Sequence, residues 1–465
     1  MSEINLKNHI FITTPIFYPN GKPHIGSVHT AILGDFLSRT FKIFGYDVRY
    51  TTGLDEHGNK VKKAAESLNM NIMEYLNNIA KDFQSIFNKI HIDYDQFIRT
   101  TETKHKEAVI FAWNKAHKEG YIKLDKYAGY YSLKDESFFS ENEIIKKDNK
   151  FYNKENTELE YLEFDCYFLK NTLFKEKLLE ILQTQKNFTT PNNRVNELIA
   201  FTNNLKDLCI SRSNIWGIPV PNDSNQIIYV WFDALVNYLT LCDYPNSEYW
   251  HNARKIHIVG KDICIFHGVY WPIILMCLNL PLMNDLLIHN WWISNDVKMS
   301  KSLGNVIDPE QIIDKYGAVA LRFYCIKENL ISDDCNFNYE NLVNYHNSFL
   351  VNKFSNLVHR IVSILRKQNI SMDGLNMEEN TIIAGNLKNL IENLDINKYL
   401  DTLFNWCDLL NHRVDAEKPW QNIDSAISIF KEIKHLIKFF DAIIPGVSEN
   451  LTDEKYKILL LSLVI

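Results

Sequence analysis

The eight cysteines in this 465-residue chain include no C-x-x-C pair. They are Cys166, Cys209, Cys242, Cys264, Cys277, Cys325, Cys335 and Cys407, and most stand in apolar runs. Cysteines so placed pack as small hydrophobes. A thiolate zinc knuckle or a disulfide framework is therefore not expected, and a reduced cytosolic protein fits best. No uninterrupted apolar run approaches the roughly 18 residues that suggest a membrane span; the stretch 458–465 is too short and reads as a buried terminal segment. Residues 1–10 carry neither an apolar signal region nor an Arg-rich amphipathic stretch. A targeting peptide is not expected, and the reading is cytoplasmic. There is no basic excess either: the net charge is −7. Contact with nucleic acid would have to come from local Lys/Arg placement.

What is present is a globular chain, 46% hydrophobic and 23% charged, long enough for about three or four domains at roughly 100–200 residues each. His9–Thr14 (HIFITT) reads as a strand, a Pro/Gly-rich loop runs to Gly26, and Val28, Ile32, Phe36 and Phe41 mark a helix face. Asp47–Thr52 reads as a second strand. Strand, loop, helix, strand opens a parallel α/β sheet. Ligands bind such sheets beyond the carboxyl ends of the strands, where the loops around His24 and Asp55 lie. The expected organisation is a Rossmann-type domain in two halves (1–118 and 226–295), interrupted by an inserted, partly β domain (119–225). Strand Ile256–Val259, helix Ile263–Leu278 and strand Leu286–His289 belong to the second half. A connecting region (296–345) leads to a C-terminal α-helical bundle (346–465), with amphipathic stretches near 345–367, 381–412 and 425–445.

Two motifs carry chemistry. His24-Ile25-Gly26-Ser27 opens a helix, whose free N–H groups suit phosphate. Gly26 lets a nucleotide approach the backbone, and His24 can donate to a phosphate oxygen as its charge grows. Lys298-Met299-Ser300-Lys301-Ser302 is a cationic loop that can close on a triphosphate. Either alone also fits an ordinary loop. The pair, in this order and about 270 residues apart, resembles the HIGH and KMSKS signatures of class I aminoacyl-tRNA synthetases. Four longer strings are similar to the methionyl branch: TTGLDEHGNKV (Thr51–Val61), SRSNIWGIPVP (Ser211–Pro221), YVWFDALVNY (Tyr229–Tyr238) and GKDICIFHGVYWP (Gly260–Pro272). The resemblance runs from Phe11 to at least Trp420.

The resemblance implies ATP-dependent activation of L-methionine and its transfer to tRNA(Met), with Mg²⁺ on the phosphates. It places His24, Gly26, Ser27, Lys298, Met299, Ser300, Lys301 and Ser302 on ATP, with His24, Lys298 and Lys301 catalytic. It places Ile16, Tyr18, Trp231, Ala234, Tyr238, Ile263 and His267 around the methionine side chain, and Asp55 on its ammonium. Rings and little charge suit a polarisable thioether. Lys261 and Asp262 stand beside that pocket as candidates for ribose or phosphate. Asn356 and Arg360, one turn apart, and Trp420 are placed on the anticodon; unpaired bases are read by edge contacts and stacking.

Two departures stand out. Ser27 replaces the second histidine of the first signature, and His29, about 200° further round the helix, is no stand-in. The inserted segment has Tyr130, Ser132, Glu136 and Cys166 where many relatives carry zinc knuckles, so the zinc-less sub-group is expected. No appended domain is expected after the bundle, and a monomer is expected. Enzymes for leucine, isoleucine or valine carry an editing insertion too large for about 100 residues, and a cysteinyl enzyme needs a zinc pocket. The rival of another class is a degenerate paralogue that binds RNA or a partner without catalysis.

Overall fold

The computed structural model describes residues 8–132, 137–139, 144–147, 150–153, 157–185, 187–213, 215–294, 297–299, 305–372 and 374–448. A six-stranded parallel sheet forms the centre. From edge to edge its strands are Gln96–Arg99, Asp47–Leu54, His9–Thr13, Arg254–Gly260, Asp285–His289 and Thr189–Thr190. Ile12 lies between Tyr50 on one side and Ile256 on the other. The chain order reverses between His9–Thr13 and Arg254–Gly260, and such a switch point opens a crevice at the carboxyl ends of the two strands.

The helix Ile25–Ile43 is buried along nearly its whole length. The sheet takes one side and C-terminal helices the other, so it needs apolar residues all round. Phe36 meets Tyr399 edge-on with centroids 5.7 Å apart, and Phe44 meets Phe439 at 5.4 Å. Behind the helix lies a buried ion pair. Arg322 Nη2 donates to Asp35 Oδ2 at 2.6 Å and to the Ala442 carbonyl at 3.0 Å, and Arg322 Nη1 donates to the Ile90 carbonyl at 3.0 Å. Asp35 also accepts from Arg39 and from the Asp93 amide. One guanidinium thus ties three parts of the chain together. Arg322→Met leaves Asp35 short of its buried partner and is expected to lower stability by about 3–5 kcal/mol, read by urea denaturation. A loss under about 1 kcal/mol would mean that Arg39 alone suffices.

The inserted segment is built on two long antiparallel strands, Ile122–Ser132 and Glu158–Leu169, paired from Ile122↔Leu169 to Tyr131↔Glu160. It does not stay apart from the central sheet. Thr189–Thr190 lies beside Leu286–Leu287 as the edge strand. A small three-stranded sheet then leads to the helix Val230–Thr240. The stretch expected as one helix from Ile263 to Leu278 winds in three ways: a 3₁₀ turn Lys261–Ile263, a π turn Phe266–Tyr270 and an α-helix Trp271–Cys277. The C-terminal region is helical, with Asn356–Lys367, Thr381–Glu392, Ile396–Glu417 and Ile423–Phe440 as its main helices. Among the described residues no helix is long and apolar enough to cross a membrane.

Candidate active site

Three strand ends at the switch point deliver the walls of a cavity of ≈ 300 Å³. The loop after His9–Thr13 contributes Tyr18, His24, Gly26 and Ser27, the end of Arg254–Gly260 contributes Asp262 and Ile263, and the end of Asp285–His289 contributes His289 to Trp292. Met299 lines the same cavity. The structure therefore brings together the first signature, one residue of the second, and part of the expected methionine pocket.

His24 is the N-cap of the Ile25–Ile43 helix. Its Nδ1 accepts from the Gly26 amide at 3.0 Å. An accepting Nδ1 leaves Nε2 to carry the proton of the neutral ring. Gly26 is required here for a reason the sequence did not suggest: a Cβ on it would lie 2.8 Å from His24 Cε1. The space above Gly26 belongs to the folded-back imidazole. Ser27 completes a reciprocal capping box. Its hydroxyl accepts from the His24 amide at 3.1 Å and donates to the His24 carbonyl at 2.9 Å. Expected as a phosphate contact, Ser27 borders the cavity while its hydroxyl holds the cap. His29 is fully buried, edge-on to His289 and Trp292.

Asp55 follows the strand Asp47–Leu54. Its amide donates to the Phe17 carbonyl at 2.9 Å, while its Oδ1 is shut from solvent with no hydrogen-bond partner among the described residues. Burial, and then the nearby Asp233, push its carboxyl well above the usual carboxylate range. A buried acceptor without a donor is costly; a bound ammonium would satisfy it. The loop that holds Asp55 is tied on both sides. The Gly58 amide donates to the Trp216 carbonyl and Trp216 Nε1 to the Glu56 carbonyl. Gly58 has φ 103°, a conformation that favours glycine. Asp233 bridges His57 (2.5 Å) and His105 (2.6 Å). Burial alone would raise the Asp233 carboxyl; the two imidazoles outweigh it and hold it at about 2.

The rings expected around the methionine side chain also form one group. Trp231 stacks on Phe266 with centroids 3.7 Å apart and stands edge-on to His267 at 6.2 Å. Tyr238 Oη is 2.7 Å from His267 Nε2, and His267 Nδ1 is 3.0 Å from the Ile263 carbonyl. Burial pushes His267 down to about 4, so it is neutral at physiological pH. Ala234 is buried beside them, and Ile16 packs against the same apolar cluster. Tyr18 lies near Asp55: burial and then that carboxylate raise its phenol.

Lys261, expected as a ribose or phosphate contact, is engaged beside the cavity residue Trp291. Its Nζ is held by Asp334 at 2.7 Å and lies 4.2 Å above the Trp291 ring. Lys298 pairs through its backbone with Ile293. Its side chain, and all of Ser300, Lys301 and Ser302, lie outside the described residues, as does Glu136. Among the described residues no group of three or more His, Cys, Asp or Glu is placed to hold a metal.

In the bundle, Asn356 is exposed at the start of its helix. Arg360 is partly buried and donates to Asp415 at 2.7 Å. Asp415 sits in the last turn of Ile396–Glu417, and Trp420 follows that helix, 48% exposed. Arg360 and Trp420 are thus carried to the same end of the bundle. Sequence reasoning missed His289 in the wall itself and Thr13, His57, His105, Asp233 and His257, polar residues behind the walls. Histidines clustering near the ends of apolar strands were the available signal.

A mononucleotide crevice at the switch point of a parallel sheet, entered by a His-capped helix, is the site of a class I nucleotidyl-activating enzyme. The comparisons agree. A family model described as tRNA synthetases class I (M) matches residues 10–362. A methionine–tRNA ligase of Rickettsia felis is 38% identical over 89% of this chain and 84% of its own. Another, of Rickettsia bellii, is 35% identical over 97% and 93%. The crystal structure of Mycobacterium tuberculosis methionyl-tRNA synthetase bound by methionyl-adenylate superposes with a TM-score of 0.84 at 29% identity, covering 95% of this chain and 93% of that one. The chain belongs to the class I tRNA synthetases, in their methionyl group.

Proposed function

We infer that this protein is a methionine–tRNA ligase. It activates L-methionine with ATP to methionyl-adenylate, releases pyrophosphate, and transfers the methionyl group to the 3′ end of tRNA(Met). The observation that carries this reading is a His-capped helix start on the switch-point cavity, with Asp55, whose Oδ1 is shut from solvent without a hydrogen-bond partner among the described residues, at the end of a neighbouring strand, and the Trp231, Tyr238 and His267 rings tied to the cavity wall through Ile263.

In the first step the methionine carboxylate attacks the α-phosphorus of MgATP in line and pyrophosphate leaves. The nucleophile is already an anion, so the protein contributes position and charge stabilisation rather than a base. Asp55 takes the ammonium; Tyr18, Trp231, Tyr238 and His267 with Ile16, Ala234 and Ile263 take the side chain. His24 offers its Nε2 proton to the phosphate oxygens, joined by Lys298 and Lys301, while Gly26, Met299, Ser300 and Ser302 shape the nucleotide site. In the second step the 2′-hydroxyl of the terminal adenosine attacks the adenylate carbonyl and AMP leaves. Asn356, Arg360 and Trp420 read the anticodon. The protein acts as a cytoplasmic monomer without structural zinc; the lack of any C-x-x-C pair supports the last point. Ser27, the one feature that favours a non-catalytic paralogue, has a local role in the helix cap.

Exchange of labelled pyrophosphate into ATP, without tRNA, tests this. Exchange is expected with methionine and not with leucine, isoleucine, valine or cysteine. No exchange with any of them, from folded protein with Mg²⁺, would favour the paralogue. Trp420→Ala is expected to raise the KM for tRNA by about 10- to 100-fold, a stacking contact's worth, with pyrophosphate exchange unchanged. Equal loss in both assays would assign Trp420 to packing.

A further inference from the structure

The switch-point cavity has a lysine that no motif announced. Among the described residues that line it, Lys22 is the only Lys or Arg. Its backbone is held while its head is left open. Gly21 has φ 137°, a turn that favours glycine. Pro23 fixes the next φ and is buried. The Asn20 amide donates to the Tyr18 carbonyl at 2.9 Å, and Tyr75 Oη donates to the Pro19 carbonyl at 2.9 Å. On the other side the Ile25 amide donates to the Ile307 carbonyl at 3.3 Å. The Lys22 side chain is exposed and makes no hydrogen bond or ion pair with a described residue. Glu310 feels its charge only weakly. That carboxyl is bonded to Lys89, which does most to hold it below the usual carboxylate range, and Lys22 adds the least. The helix start itself is short of donors for an anion, because the Ser27 hydroxyl gives its hydrogen to the His24 carbonyl. Lys22 is exposed where His24 is half-buried, which puts it at the rim of the cavity.

We propose that Lys22 is a further catalytic residue of methionine activation: its ammonium holds the β- and γ-phosphates of ATP at the rim of the cavity and stabilises the pyrophosphate as it leaves. The inference rests on the ATP-using reading of the site. When the methionine carboxylate bonds to the α-phosphorus, the bond from that phosphorus to the bridging oxygen breaks, and its electron pair leaves on pyrophosphate. No proton moves. The charge that grows on the leaving group is met by a point charge on a flexible stem.

Lys22→Met keeps the stem and removes the charge. An exposed side chain without partners carries little stability, so the variant should melt with the wild type. In pyrophosphate exchange it is expected to lower kcat/KM for ATP and for pyrophosphate about 10-fold or more, as one charge-assisted hydrogen bond warrants. The KM for methionine should stay within about twofold. Lys22→Arg should recover most of the loss. The second step separates a phosphate contact from a structural role. Single-turnover transfer from preformed, enzyme-bound methionyl-adenylate to tRNA involves no pyrophosphate, and the variant should run it at the wild-type rate. An equal loss in that step would overturn the proposal, as would unchanged constants for ATP and pyrophosphate. Failure of wild-type exchange with methionine would instead strike the functional reading. Calorimetric titration of inorganic pyrophosphate with Mg²⁺ into wild type and Lys22→Met would still decide the lysine: weaker binding to the variant supports the contact, and equal binding overturns it.

Discussion

Asp55→Asn is expected to weaken methionine binding by about 100-fold or more while raising the melting temperature of the free enzyme. The loss follows from removing the negative partner of a desolvated ammonium, a change that typically costs about 2–5 kcal/mol. The gain follows from the same geometry in the empty site. Asp55 Oδ1 is buried without a donor, and its carboxyl is pushed up by burial and then by Asp233. A carboxyl with a raised folded pKa favours the fold while protonated and penalises it as pH rises through that pKa. The asparagine has no such penalty, so the variant's advantage should be present at neutral pH and vanish in acid. Methionine affinity of the wild type should fall as pH drops through the raised Asp55 pKa, because the proton competes with the ammonium. Calorimetric titration from pH 5 to 8 beside thermal melts reads all of these. A variant that loses binding and stability together would make Asp55 a structural carboxylate.

The second large effect concerns His24. His24→Ala should lower kcat for pyrophosphate exchange by about 10²–10³-fold, the range for a single transition-state donor. That variant also loses the acceptor for the Gly26 amide, which costs about 1 kcal/mol of stability as any N-cap does. His24→Asn separates the two. The asparagine oxygen can take the Gly26 amide, so melting should return close to wild type. The donor that reaches for phosphate is still gone, and kcat should stay low. If asparagine restores both, His24 matters for the helix start and not for the chemistry.

The strand–loop–helix–strand opening was legible because its apolar spacing and its Pro/Gly loop are local signals, and the Asp47–Leu54 strand came out two residues longer than expected. The ring group around Tyr238 and His267 was legible through the long matching strings. Other features were not. Ser27 pairs with His24 in a cap whose usual sequence form ends in Glu or Gln. The π turn at Phe266–Tyr270 has no period of its own; it goes with the stacking of Phe266 on Trp231, a residue on a different helix. Thr189–Thr190 is two residues long, too short for alternation to register, and its place is set by Leu286 and Leu287 about a hundred residues later. His257 looked like one polar residue in a buried strand; its partners, Thr13 and Trp271, come beside it only in the fold.

The helix Ile25–Ile43 shares its hydrophobic core with residues as distant as Phe440 and Val447, whereas the strands and helices between residues 98 and 288 mostly pack into a separate core. During synthesis this order has a cost. The helix is made hundreds of residues before Arg322, which pairs with Asp35, and before the Ala442 and Ile443 carbonyls that accept from Arg322. At about 5–20 residues per second, the outer face of that helix stays uncovered for tens of seconds. The nascent chain therefore presents a long apolar surface to chaperones until the bundle has been made, and truncations within the bundle should yield aggregates rather than an isolated catalytic domain.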